Sequence, residues 1–175
     1  MCGIVGLFLK DRSLEPRLGE MLTVMLITMT DRGPDSAGIA IYGGETAGRS
    51  KMTVQSDKPE TAFADLVTKL QDAAGGTVNV AVKSTHAVLD IPAGSTGKVR
   101  ATLNEMGIRI MSVGDSLEIY KEVGLPKNVA AQFELAKMSG THGIGHTRMA
   151  TESAVTTMGA HPFNTGPDQC LVHNG

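Results

Sequence analysis

The chain has 175 residues, is 41% hydrophobic and carries a formal net charge of −2, a length at which about 70% of the unfolded surface can be buried around one core. This near-neutral balance, with no long run of Lys and Arg, argues against nucleic acid as the main partner, because phosphate binding needs a concentrated positive footprint. The most apolar stretch, Met21 to Ile27, is far shorter than the ~20 residues that cross a bilayer, and the start of the chain lacks the charged segment and cleavage site of a signal peptide. Two cysteines, Cys2 and Cys170, make no disulfide framework and fit a reducing compartment, so a cytoplasmic location is expected.

In chain order, an apolar strand is expected at Gly3–Leu9. The spacing of Leu18, Met21, Leu22, Met25 and Met29 then predicts a helix that buries one stripe. Gly33 and Pro34 break that helix, and Ile39–Tyr42 reads as the next strand. A strand follows at Ser50–Gln55. Pro59 opens a helix with Phe63, Leu66, Val67 and Leu70 on one face. Strand signals return over Thr77–Leu89, then a helix at Thr96–Met106, a strand at Ile108–Val113 and a helix at Pro126–Met138. Several strand pairs adjoin directly, which favours a layered α+β arrangement over pure βαβ winding. No repeat, low-complexity tract or linker divides the chain, so 1–175 is expected to be one domain.

Chemistry gathers at the two ends. Removal of Met1 would leave Cys2 with a free α-amine beside its own thiol, and both groups titrate near neutrality, so one residue would supply nucleophile and base. Taken alone, such a cysteine is more often a small buried residue. Near the other end, Gly143–Thr151 reads as a strand running into a polar turn, followed by Ala160-His161-Pro162-Phe163 and the final His173-Asn174-Gly175. An Arg at a strand end is usually a solvated charge, and Asn-Gly usually a tight turn. His142 and His146 could share a strand face, but no third ligand with sensible spacing accompanies them, so no metal site is expected.

Four blocks in order, Cys2-Gly3-Ile4-Val5-Gly6, Arg32-Gly33-Pro34-Asp35-Ser36-Ala37-Gly38, Gly145-His146-Thr147-Arg148-Met149-Ala150-Thr151 and His173-Asn174-Gly175, resemble the glutaminase domain of class II glutamine amidotransferases, within the N-terminal-nucleophile hydrolases. Their wording is most similar to the stand-alone amidotransferase subunits related to glutamate synthase, such as the small subunit of N-methylglutamate synthase. The resemblance implies a four-layer αββα sandwich, here with an enlarged segment at about 43–140. It implies a Cys2 thiolate that attacks the side-chain amide of glutamine to form a thioester, with Asn174 and the backbone N–H of Gly175 as the oxyanion hole. It makes Arg148 the grip on the substrate α-carboxylate, with Thr151 and His161 lining the same pocket and Arg32 close to the nucleophile. For Arg32 a salt bridge with Asp35 or another carboxylate, holding the turn, is an equal alternative. Asp35 and Ser36 are expected as turn and capping groups, and His146, His173 and Cys170 as packing and strand-bonding groups.

The same resemblance implies glutamine as substrate, a glutamate-synthase-like partner subunit that receives ammonia, and no cofactor in this chain. Methylamine from a substituted γ-glutamyl amide is an alternative product to ammonia. Two other readings stay open at this point: a noncatalytic scaffold or regulatory subunit with the same fold, and an amidase of the superfamily acting on another γ-glutamyl amide. The family domain continues beyond a position matching Gly175, so the sandwich is expected to be incomplete at that end, and Met1 must be removed for activity.

Overall fold

The computed structural model describes residues 1–150 and 154–174. The elements run β1 (Gly3–Phe8), α1 (Leu18–Thr28), β2 (Ser36–Tyr42), β3 (Arg49–Gln55), α2 (Pro59–Ala62), α3 (Leu66–Ala74), β4 (Asn79–Lys83), β5 (His86–Pro92), α4 (Thr96–Glu105), β6 (Arg109–Gly114), β7 (Leu117–Val123), α5 (Pro126–Gln132), β8 (His142–Arg148), β9 (Phe163–Gly166) and β10 (Gln169–Leu171). The α+β class is as expected.

Most of the expected elements are present, and the departures have local causes. The helix predicted from Pro59 is two helices, α2 and α3, separated at 63–65. The strand signal over 77–89 is a hairpin: Ser84 adopts a positive φ of 55° and turns β4 back onto β5. The helix expected over 126–138 stops at Gln132, with a 3-10 turn at Leu135–Lys137, because Glu134 sits in the left-handed region. The short strands β9 and β10 have no counterpart among the expected elements, and neither does β7. It carries the charged residues Glu118, Lys121 and Glu122, and these mask a strand buried on both faces, with Leu117 and Ile119 on one and Tyr120 on the other.

The strands form two four-stranded antiparallel sheets and a small hairpin. The first sheet has the order β1-β8-β2-β7. Helices α1 and α5 cover one face of it, where Leu18, Leu22 and Leu26 meet Val5, Ile39, Ile41, Tyr120 and Phe133. On the opposite face Ala40, Tyr42 and Ile119 pack with Met111, Ile144 and Cys170. The β9–β10 hairpin lies over this side: a Cβ on Gly38 would fall 2.0 Å from the His161 carbonyl oxygen.

The second sheet, β4-β5-β3-β6, gives meaning to the segment at about 43–140. From β3 to β6 the chain runs strand, helices, strand, strand, helix, strand, and numbering those four strands 1 to 4 puts them in the order 2-3-1-4. This is the split βαβ, or ferredoxin-like, arrangement. The unit has a core of its own, where Met52, Val54, Ala87, Leu89 and Ile91 pack beneath Leu66, Leu70, Val99 and Leu103. The part of this segment from β3 to β6 is therefore a folded βαββαβ module between β2 and β7. It meets the first sheet at His86, whose ring packs on Phe133 and Tyr120.

Candidate active site

Register decides where the chemistry falls. Gly3 pairs with Thr147, and Ser36 pairs with both Arg148 and Val123. The start of β1, the end of β8 and the start of β2 therefore meet at one end of the first sheet. Three blocks drawn from both ends of the chain converge there because antiparallel pairing with this register leaves them nowhere else to go.

The approach is close enough to demand glycine. A Cβ on Gly33 would lie 2.4 Å from the Thr147 carbonyl carbon and 2.5 Å from the Arg148 nitrogen. Neither is a flexible side-chain end, so the turn at 30–33 can seat on β8 only without a side chain. Asp35 completes the join. Its N–H donates to the Arg148 carbonyl at 3.1 Å, and its Oδ2 accepts from the Ala150 N–H at 2.8 Å. This fits the expected turn role for Asp35. The alternative salt bridge between Arg32 and Asp35 does not form among the described residues; Arg32 is exposed on the turn at Thr30–Arg32.

Cys2 is half-buried and free. Its backbone N–H donates to Asn174 Oδ1 at 3.2 Å, across 172 residues of sequence. With Oδ1 turned to Cys2, the Asn174 amide nitrogen is the part left to donate elsewhere. His146 fixes the same terminal segment: it is fully buried, and its Nε2 lies 3.1 Å from the His173 carbonyl oxygen. Thr147 Oγ1 donates to the Met29 carbonyl at 3.1 Å, tying β8 to the end of α1. Met1 is exposed, and its amino group reaches Met149 Sδ at 3.4 Å. Arg148 ends β8 half-buried, with Nη1 3.4 Å from the Ala154 carbonyl oxygen. Thr151 and Gly175 lie outside the described residues.

His161 lies beneath this end of the sheet. It is buried, its ring stacks at a tilt on His146 with centroids 4.3 Å apart and meets His173 edge-on at 4.8 Å. Burial pushes its pKa down to about 4, helped by the neighbouring His146, His173, Lys121 and Arg148, so the ring is neutral at pH 7. Among the described residues no three His, Cys, Asp or Glu side chains are placed to hold a metal.

Lys121, on the strand that carries no sequence signal, is 3% exposed. Its Nζ donates to the carbonyls of Ala160 at 2.8 Å and Pro162 at 3.2 Å, the two residues flanking His161. It also stands 4.5 Å from the centre of the Phe163 ring. Burial lowers its pKa to about 8. An isolated Lys in an alternating segment gives no hint of such a role; only the pairing of Ser36 to Tyr42 against β7 does. Cys170, by contrast, behaves as expected of a packing residue. It accepts from the Tyr42 hydroxyl at 3.2 Å, and burial pushes its thiol pKa up.

No family model matches the chain. Among curated proteins, the glutamine amidotransferase-like protein GlxB of Rhizobium meliloti (strain 1021) is 67% identical over 177 residues, spanning all of this chain and 58% of that protein. A protein of Methanothermobacter thermautotrophicus, also named for glutamine amidotransferase, is 32% identical over 187 residues, spanning all of this chain and 61% of its own length. The glutamine–fructose-6-phosphate aminotransferase (isomerizing) of Methanosarcina acetivorans is 47% identical over 73 residues, covering 39% of this chain and 11% of that enzyme. These similarities, the first two over the whole of this chain, support a class II glutamine amidotransferase domain. The chain spans about three-fifths of the length of the two relatives that it matches from end to end. Cys2, Asn174 and Arg148, brought to this end of the sheet, are residues of the four sequence blocks quoted above.

Proposed function

We propose that the protein is a glutaminase subunit that uses Cys2 as an N-terminal nucleophile. The supporting observation is the 3.2 Å contact between Cys2 N and Asn174 Oδ1. Once Met1 is removed, that nitrogen is the α-amine, held by Asn174 next to the thiol whose proton it takes. The thiolate adds to the side-chain amide carbon of glutamine, and the carbonyl oxygen becomes an oxyanion. The Asn174 amide nitrogen and the Gly175 N–H donate to it, an arrangement in which one lost donor typically costs about 10² to 10³ in rate. The α-ammonium protonates the leaving ammonia, a thioester remains, and water activated by the same amine releases glutamate.

In this reading Arg148 holds the α-carboxylate of glutamine with its planar fork of donors, and Thr151 lines the same pocket. His161, neutral and buried, acts as a wall that fixes His146 and His173 rather than as an acid or base. Arg32 stands on the turn that seats β8. The first sheet with α1 and α5 is one half of the N-terminal-nucleophile hydrolase sandwich, and the β9–β10 hairpin begins the second. Ammonia, or methylamine from a substituted amide, passes to a glutamate-synthase-like partner in the cytoplasm. No helix among the described residues is long and apolar enough to cross a membrane, and no cofactor is assigned to this chain.

Intact mass measurement of the full-length protein, before and after reaction with a γ-electrophilic glutamine analogue, tests this. Loss of Met1 and a single adduct mapping to Cys2 are expected. An adduct on Cys170, or full activity with Met1 retained, overturns the mechanism.

A further inference from the structure

Asp168 sits at the tip of the β9–β10 hairpin with a positive φ of 52°. Its carboxylate is inserted into the turn that joins β6 to β7. Oδ1 accepts from the Ser116 N–H, the Ser116 hydroxyl and the Leu117 N–H, each at 2.9 Å, and Oδ2 accepts from the Asp115 N–H at 2.8 Å. Its own N–H donates to the Val113 carbonyl at 3.0 Å. The fit leaves no space: a Cβ on Gly114 would lie 2.2 Å from Asp168 Oδ1. Burial pushes this carboxyl upward, but the N–H groups of Asp115, Ser116 and Leu117 and the Ser116 hydroxyl outweigh it and hold the pKa below the usual range.

The turn so gripped belongs to both halves of the molecule. β6 is an edge strand of the βαββαβ unit and β7 an edge strand of the first sheet. Ser50 at the start of β3 adds a further tie, its hydroxyl donating to Asp115 Oδ1 at 2.8 Å. On the other side, β10 ends at Leu171, three residues before Asn174. Between them the His173 carbonyl is held by His146. The hairpin is short, and its register shifts between Gln169 and Cys170, so its own ladder only weakly fixes the path of the chain from Leu171 to Asn174.

We propose that Asp168 is a positioning residue for the oxyanion hole, and that the βαββαβ unit serves glutamine hydrolysis as the buttress to which Asp168 fastens the Asn174 segment. This rests on the role given to Asn174 above. It assigns the enlarged segment a part in the reaction without any contact to substrate. Donors aimed at a developing oxyanion must be held to about 0.5 Å, and a displacement of about 1 Å can cost roughly 10²-fold in rate.

The test is Asp168→Asn in the full-length protein. Asn tolerates positive φ and keeps the volume, but puts an NH₂ group where backbone N–H groups need an acceptor. Because the oxyanion exists only in the transition state, kcat for glutamine hydrolysis should fall about 10- to 100-fold with KM within about twofold. Amide hydrogen exchange should quicken over 169–174 and stay unchanged in β3 and β5. Wild-type kcat with unchanged exchange over 169–174 overturns the proposal, as does a lower melting temperature with wild-type kcat at about 25 °C. Should the Asn variant not fold, Ser116→Ala, which removes the hydroxyl donor and leaves the three backbone N–H groups, decides by the same two readouts with an expected fall in kcat of about two- to fivefold. If the unaltered full-length protein releases no glutamate, the glutaminase reading falls, and the exchange measurement still decides whether Asp168 orders the Asn174 segment.

Discussion

The helix ends of the βαββαβ unit and the site end of the first sheet use glycine for opposite purposes. In the unit, Gly75 and Gly107 end α3 and α4 at positive φ, with nothing within 4 Å of where a Cβ would stand. They direct the chain and touch nothing. Around the first sheet, Gly33 on the turn before β2, Gly38 in β2 and Gly145 in β8 are where backbone or core atoms crowd in to 2.0–2.9 Å. There the missing side chain is what permits contact. The polar groups differ in the same sense. The unit's helix-covered face is built from Leu, Ile, Val and Met of strands and helices, and its buried polar side chains, His86 apart, are uncharged Ser, Thr and Gln, whereas the site end buries Lys121, His146, Thr147 and His161. Burying an ammonium or imidazole is costly unless it is hydrogen-bonded, so a region that keeps several of them has been shaped by geometry that packing alone does not require. One region folds for stability, the other for position.

Four measurements sharpen or break that division. Replacing Cys2 with Ala should lower glutamate release by at least about 10³-fold while leaving the melting temperature within a degree or two, because the half-buried thiol contributes little packing. Residual activity above that level would mean the nucleophile lies elsewhere. Leu103→Ala, at a fully buried position of the unit, should cost about 2–5 kcal/mol in denaturant unfolding, with glutamine KM per folded molecule unchanged. A raised KM would show that the unit shapes the substrate pocket directly.

Arg148→Lys should lower kcat/KM for glutamine about 10- to 100-fold, since a charge-assisted hydrogen bond contributes about 1.5–3 kcal/mol and lysine loses the fork. Unchanged kinetics would remove Arg148 from the site. The smallest effect concerns acid. His161 and His86 have pKa values pushed down by burial to about 4 and about 3, against 6.5 when unfolded. Below about pH 6.5 the unfolded chain takes up protons that the folded rings refuse, so stability present at about pH 7 should be lost progressively toward about pH 4. His161→Phe should flatten part of that decline. A melting temperature independent of pH over this window would contradict the neutral, buried state of both rings.

The sequence by itself carried the resemblance to the family, the α+β class, α1, α4 and most strands, and the expectation that Cys2 and Asn174 belong to one site. These rest on local signals: a 3.6-residue apolar stripe, Pro at a helix start, Gly-rich breaks and four short motifs in fixed order. Tertiary structure alone decided four things: that the segment after Tyr42 contains a separate βαββαβ module, that β7 is a strand despite Glu118, Lys121 and Glu122, that His161 lies buried beneath His146 and His173, and that Asp168 is an acceptor for the β6–β7 turn. The physical reason is common to all of them. Strand order, the carbonyl partners of a buried lysine and the acceptors of a distant turn are set by which segments meet across the sheet, and pairing between residues far apart in the chain leaves no periodic trace in either segment.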